Sequence, residues 1–363
     1  MHMLDKFLFF LIVALGITST QAQLNFIRME PEFGYTWAHH SFLEGITGTL
    51  THAVAIQYAR ISPGQYWSQI WNHPETGIEA VWYDFNQKHL GQAFALFYFA
   101  DFRLNNRKQK GQWFFRTSAG FGYITRPYNK VTNPENVIFG SHFSSTFAFA
   151  FYYRYKFSLW NAGLGIGIRH FSNGNYQSPN NGINCPSLFL HLSFPLKNDT
   201  AQFIKNSRKI HFKPKRHWQI FLRAGINETD IPGMGKFPFF IPGIQYLRQP
   251  TYKHTWGTGI ELMMNYSVKE LLHYENIAYS TYPSGEPDFK RIGWFLSHRF
   301  MFGKTSLNQA LGLYLYNPSK KESFWYSRLG VEYRIFDRWS VSYSVKLHYF
   351  MAEELEWGIS FRL

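Results

Sequence analysis

The chain has 363 residues, a formal net charge of +14 and one cysteine, so it is long enough for two ordinary domains or one large barrel and no intramolecular disulfide can form. Aromatic residues make up 20% of it, charged residues only 17% and hydrophobic residues 45%. Past the N-terminus no apolar run is long enough to cross a bilayer as a helix, which excludes a helical membrane protein and leaves the profile of a transmembrane β-barrel. The positive charge calls for an anionic partner. The basic residues are scattered among strands without a nucleic-acid motif, so a phosphorylated lipid or an anionic membrane surface is expected instead of nucleic acid.

The chain opens with an export signal. Lys6 precedes the apolar run Phe7 to Ile17, and Thr20-Gln21-Ala22 has the small-x-small pattern of a cleavage site, so residues 1–22 read as a signal peptide and the mature chain begins near Gln23. From there the alternation of period two recurs. Trp113, Phe115, Thr117, Ala119, Phe121 and Tyr123 share one face, opposite Arg116, Ser118, Gly120 and Gly122. Phe147, Phe149, Phe151, Tyr153, Tyr155 and Phe157 oppose Ala148, Ala150, Tyr152, Arg154 and Lys156. The same holds around Leu188–Phe194, Trp218–Ala224 and Val341–Tyr349, and Leu355–Leu363 alternates to the carboxyl terminus.

These runs predict strands near 33–39, 52–60, 77–84, 92–104, 112–125, 146–158, 160–172 and 187–195, then near 217–227, 237–248, 254–267, 289–302, 308–316, 324–336, 339–350 and 354–363. Alternation alone also fits a soluble sandwich. Two features favour the membrane: segments of about ten residues match a tilted bilayer crossing, and the faces opposite the aromatic rows are small or charged, as suits a polar interior. The expected fold is therefore all-β, an antiparallel outer-membrane barrel of about fourteen strands, between about twelve and sixteen, formed as a single barrel over 23–363. Residues 196–216 form a basic connection containing Lys205-Asn206-Ser207-Arg208-Lys209 and Lys213-Pro214-Lys215-Arg216, read as a solvated loop between two blocks of strands. Val268 to Tyr274 reads as a short helix or a lid.

One stretch carries chemistry. Trp160, Ala162, Leu164, Ile166 and Ile168 occupy alternate positions, and His170 and Ser172 continue the same row. A base and a nucleophile thus leave the strand on its apolar face, with Cα atoms about 7 Å apart and within reach of a His–Ser hydrogen bond. If that face meets lipid, the pair sits at the membrane rim, where an acyl ester can reach it. Asn173, Gly174, Asn175, Pro179, Asn180, Asn181 and Gly182 follow, a turn-rich loop able to aim amide donors at a developing oxyanion. Asn184 falls on the same outward face. Cys185 lacks a base and reads as structural. His39, His40, His52 and His73 lack metal-site spacing, and the Trp and Tyr residues read as interfacial anchors.

His170-Phe171-Ser172-Asn173-Gly174, with Pro179-Asn180-Asn181-Gly182, resembles the signature of the lipid A 3-O-deacylases of the PagL type. Upstream, Leu43-Glu44, His52, Tyr66-Trp67, Asn72-His73-Pro74, Gly77 and Asn133-Pro134-Glu135-Asn136 resemble longer members of the Bacteroidetes type labelled acyloxyacyl hydrolase. The resemblance covers roughly 33–195 and marks 23–195 as the deacylase-like part, whereas 217–363 reads only as additional strands. It implies a bacterial outer-membrane esterase that removes a fatty acyl chain from the lipid A of lipopolysaccharide, with Ser172 as nucleophile and His170 as general base. Asn173, Gly174, Asn180 and Gly182 would hold the loop or the oxyanion, and no metal or organic cofactor is required. Outer-membrane lipids are the expected surroundings.

Where the family has a catalytic glutamate, this chain has Asn184. An amide oxygen can fix the imidazole tautomer but cannot offset an imidazolium charge, and loss of the acid elsewhere lowers turnover by several orders of magnitude. Three readings stay open: Asn184 orients His170 as in a Cys-His-Asn triad, another acid such as Glu44 takes the role, or activity is weak or absent. The alternative of another class is a non-catalytic barrel, either a channel or a surface-binding protein on the same scaffold.

Overall fold

The structure, a computed structural model, describes residues 24–38, 43–62, 65–196, 212–229, 231, 233–320, 323–349 and 351–363. The export signal, His39, His40 and the Lys205–Lys209 part of the basic connection lie outside these residues. Eight strands form a first closed barrel: β1 (Leu24–Tyr35), β2 (Leu50–Ile61), β3 (Glu75–Asp84), β4 (Gln92–Arg103), β5 (Gly111–Ile124), β6 (Phe143–Lys156), β7 (Asn161–Ser172) and β8 (Ile183–Pro195). Eight more form a second: β9 (Lys215–Glu228), β10 (Lys236–Gln249), β11 (His254–Asn265), β12 (Arg291–Phe302), β13 (Thr305–Tyr316), β14 (Trp325–Arg334), β15 (Trp339–His348) and β16 (Met351–Arg362).

The barrel class and the positions of the strands after the first agree with the alternation. The expectation of one ring of about fourteen strands is corrected: sixteen strands close as two rings of eight. The break falls at the basic connection, because β8 pairs back onto β1 and β16 pairs back onto β9. Nothing in the period of a strand specifies which neighbour closes the ring.

Eight strands leave an interior just wide enough for side chains to fill, and here that filling is ionic. In the first barrel Arg28, Arg103, Arg116, Arg154 and Arg169 interlock with Glu30, Glu32, Glu75, Glu79 and Asp101, all buried. Glu75 alone accepts from Arg28, Arg103 (2.8 Å) and Arg154 (2.7 Å). In the second, Arg223 and Arg328 bracket Glu261 and Glu356, while Arg291 and Lys346 hold Glu353 at 2.5 Å each. Each core balances its own charge, and the mutual attraction offsets the cost of desolvating the buried ions. The cavity beside Arg116 and Arg169 is about 10 Å³ and that beside Arg223 and Arg328 about 40 Å³.

This ionic core explains why β1 begins at Leu24 and not near 33 as the sequence suggested. Arg28, Glu30 and Glu32 make the stretch read as a polar loop, yet they occupy alternate inward positions and Ile27, Met29 and Phe33 face outward. The same division runs along the other strands: Trp113, Phe115 and Tyr123 are exposed while Arg116 and Ser118 are buried. Exposed apolar rows around an ion-paired polar interior are what a bilayer-spanning barrel presents.

One end of both barrels carries the longer connections, including 125–142, 173–182 and 266–290, and the other carries tight turns such as 157–160 and 303–304. Two helices lie in connections: α1 (Tyr66–Ile70) at the short-turn end and α2 (Tyr266–Tyr279) at the long-loop end. The short helix read over Val268–Tyr274 is thus longer by about two turns. It starts where the Asn265 side chain accepts the Ser267 amide and stops at Ser280 in a left-handed conformation. Among the described residues no helix is long and apolar enough to cross a membrane. The barrels touch at both ends. At the short-turn end Trp71 donates to the Met301 carbonyl (2.9 Å) and packs on Phe302. At the other, Tyr343 donates to Ser145 Oγ (3.0 Å) and Phe121 stacks on Trp357.

Candidate active site

β7 delivers His170 and Ser172 to the long-loop end of the first barrel. The strand ends there because Phe171, pointing inward between them, is fully buried against Tyr83 and Phe85 under the long loops. An anchored Phe171 forces its two neighbours to the opposite face. Phe147 of β6, His170 of β7 and Asn184 of β8 therefore form one outward rung, and Ser145 lies beside Ser172 on the next.

The side chains converge. His170 Nδ1 lies 2.8 Å from Asn184 Oδ1, and Trp37 clamps the same asparagine by donating its backbone N–H to the Asn184 carbonyl (2.8 Å). Gly182, at φ +65°, passes between base and nucleophile. A β-carbon there would lie 3.1 Å from His170 Cε1 and 3.3 Å from Ser172 Cβ, so one small volume touches both groups. Ser172 is buried and donates to Asn180 Oδ1 (3.2 Å), which also accepts the Asn173 N–H (2.8 Å). The Gly174 N–H points at Ser172 Oγ (3.1 Å). Asn173 donates through its side chain to the Gln177 carbonyl (2.6 Å) and to Ser141 Oγ (3.2 Å). An amide donor beside the nucleophile and a side-chain-braced loop are the parts from which oxyanion stabilisation is built.

Of the residues singled out by sequence, Ser172, His170, Asn184, Asn173, Gly174, Asn180 and Gly182 meet at this point. Glu44 is exposed on the connection between β1 and β2, and the imidazole Nδ1 that it would orient is held by Asn184. His52 packs edge-on against Phe33 on the outer wall, and His73 lies at the short-turn end beside Ser68 (3.3 Å). Cys185 is buried in the apolar layer with Phe171 and Ile183.

The outer wall beneath the pair is hollowed. A groove of about 700 Å³ runs along β7 between neighbouring strands, lined by Phe149, Phe151, Ile166, Ile168, Pro186 and Leu188 among others. Ile168, which lines the groove, is one step along the strand row from His170.

Sequence reasoning missed the contribution of the second barrel. The Glu228 carboxylate accepts the Ser178 N–H (2.8 Å) and the Gly233 N–H (2.9 Å), while its own N–H donates to the Asn175 carbonyl (2.9 Å). Ser178 Oγ donates to the Thr229 carbonyl (2.7 Å). Leu355 rests on Gly174, where no β-carbon would fit and φ is +60°. The loop that follows the nucleophile is thus held from the other barrel. These partners lie some fifty residues or more away in sequence, where no local signal marks them.

Comparisons with known proteins agree with this division. Residues 53–193 match the family described as lipid A 3-O-deacylase (PagL), and residues 216–363 match the acyloxyacyl hydrolase C-terminal domain. Among solved structures, the crystal structure of the outer-membrane enzyme PagL is similar at 15% identity and a TM-score of 0.34, over 45% of this chain and 97% of that one. Mutants of a Rhodopseudomonas blastica porin match at 8% identity and a TM-score of 0.18, over 94% of this chain and 99% of theirs. No curated protein matches the chain significantly. The first barrel thus groups with the lipid A 3-O-deacylase (PagL) family and the second with the acyloxyacyl hydrolase C-terminal domain, in a bacterial outer-membrane β-barrel protein.

Proposed function

We propose that this protein is an esterase that removes a fatty acyl chain from lipid A at the membrane rim. The observation that carries the reading is that Asn184 holds the His170 imidazole while His170 and Ser172 both border Gly182, on the strand whose outer face lines an apolar groove. The acyl chain lies along Ile166 and Ile168, and the sugar head stays at the long-loop end.

In the reaction, the Ser172 hydroxyl turns from Asn180 toward His170. Its oxygen attacks the ester carbonyl as the imidazole takes its proton. The Gly174 N–H stabilises the oxyanion. Collapse breaks the bond to the sugar oxygen, which receives the proton from the imidazolium, and leaves the acyl group on Ser172. Water, deprotonated by His170, then releases the fatty acid and restores the serine. Asn184 fixes the tautomer that leaves Nε2 free of hydrogen, but contributes no charge. The imidazolium is therefore less stabilised than with a carboxylate, and turnover is modest.

That same asparagine favours a second reading, a surface-binding barrel on this scaffold without catalysis. A channel fits less well, because ion pairs fill both interiors. The readings separate by mass spectrometry of lipid A from cells producing the wild type or Ser172→Ala. The esterase removes one acyl chain in the wild type only. An unchanged acyl pattern with folded wild-type protein in the outer membrane would refute it.

A further inference from the structure

We propose that the short-turn mouth of the second barrel is a binding site for a phosphate-bearing anion. A cavity of about 600 Å³ opens there, at the opposite end of the molecule from Ser172, lined by Lys215, Arg216, Lys304, Arg334, Arg338 and Arg362. Opposing them in the lining are Glu332, Asp337 and the terminal carboxylate of Leu363, and Glu332 is already engaged by Arg299 at 2.8 Å. Among the described residues none of the six cations forms an ion pair with a carboxylate. The barrel core above neutralises its own charge, so the excess is confined to this rim.

The rim is held by the backbone. The Arg334 N–H donates to the Lys304 carbonyl (2.9 Å) and the Arg362 N–H to the Arg338 carbonyl (2.8 Å), which fixes the bases of four of these side chains across tight turns. Cations gathered around a low-dielectric concavity focus a field on its centre. Guanidinium forks match phosphate oxygens in pairs, and an anion seated among them relieves their repulsion. Lys215, Lys304 and Arg334 also line the crevice of about 630 Å³ between the barrels, so the site is open toward the bilayer side as well as along the barrel axis. Its ligand is either the headgroup of an anionic glycerophospholipid in the adjoining leaflet or free phosphate, which share the chemistry recognised.

The test is calorimetric titration of the whole mature protein in an uncharged detergent, with dihexanoyl phosphatidylglycerol in one arm and inorganic phosphate in the other. The comparison is Arg334→Gln/Arg338→Gln, with heat-modifiable gel mobility reporting that the variant is folded. Saturable binding weakened about tenfold or more in the double variant, and weakened by salt, is expected. Tighter binding of the lipid assigns the site to a headgroup, and equal binding assigns it to phosphate. No saturable binding of either, or binding that the double variant leaves unchanged, overturns the proposal. If the variant is not folded, Lys304→Gln/Arg362→Gln is titrated with the same criteria.

Discussion

His170 Nδ1 lies 2.8 Å from the side-chain oxygen of Asn184, directly across the β7–β8 ladder. The contact supplies direction without charge. Replacing Asn184 by Asp keeps the length of the side chain and adds a carboxylate, which stabilises the imidazolium formed in each step. We predict that Asn184→Asp raises kcat by at least about tenfold, judged against the several orders of magnitude that such an acid supplies in serine hydrolases. A neighbouring negative charge also favours protonated histidine, so the acid limb of the pH–rate profile moves to higher pH. Release of a chromogenic acyl ester followed across pH checks both, and an unchanged limb would show that His170 is not the titrating base.

The groove along β7 should discriminate between acyl chains by length. Ile168 lies one step from His170 and lines the apolar hollow. Ile168→Trp fills the near end while leaving the hydrogen bonds of the site intact. Hydrolysis of a palmitoyl ester should fall about tenfold or more, since displaced methylenes lose about 0.8 kcal/mol each, whereas a butyryl ester is cleaved at nearly the wild-type rate. Equal loss on both esters would place the acyl chain elsewhere.

Much of this was legible from the alternation of side chains, because a membrane barrel must show one face to lipid on every strand. The parity of Ile168, His170 and Ser172 put the pair outside, and the following Asn and Gly residues marked the loop. Two things were hidden. Arg28, Glu30 and Glu32 disguised β1 as a loop, since their partners Asp101, Arg116 and Arg169 come from distant strands. Ring closure depends on the pairing of β8 with β1, which no local pattern encodes, so two barrels of eight read as one larger barrel.

The ionic core predicts where the first barrel is fragile. Glu75 is buried and accepts from Arg28, Arg103 and Arg154. Glu75→Ala leaves three guanidinium groups short of their counter-charge, and breaking a buried pair from one side costs about 3–5 kcal/mol. Urea unfolding in micelles should show a midpoint lowered accordingly, with the heat-modifiable band lost at lower temperature. Glu44→Ala, on an exposed turn, should shift the midpoint by no more than about 0.5 kcal/mol.

The two barrels meet at the loop that follows the nucleophile. Glu228 belongs to the second, yet its carboxylate fixes the Ser178 N–H in the loop that follows the nucleophile of the first. Glu228→Ala leaves the Ser178 and Gly233 amides without their acceptor, at about 1–3 kcal/mol, and frees the segment whose Asn180 and Gly174 hold Ser172. Because the groove is untouched, KM for a long acyl ester should stay within about twofold while kcat falls about tenfold. Glu228→Gln retains one carbonyl oxygen and can serve only one of the two amides, so its kcat should lie between those of Ala and wild type. A parallel rise in KM, or no change in kcat in a folded Ala variant, would mean that the second barrel merely accompanies the first and does not hold its loop.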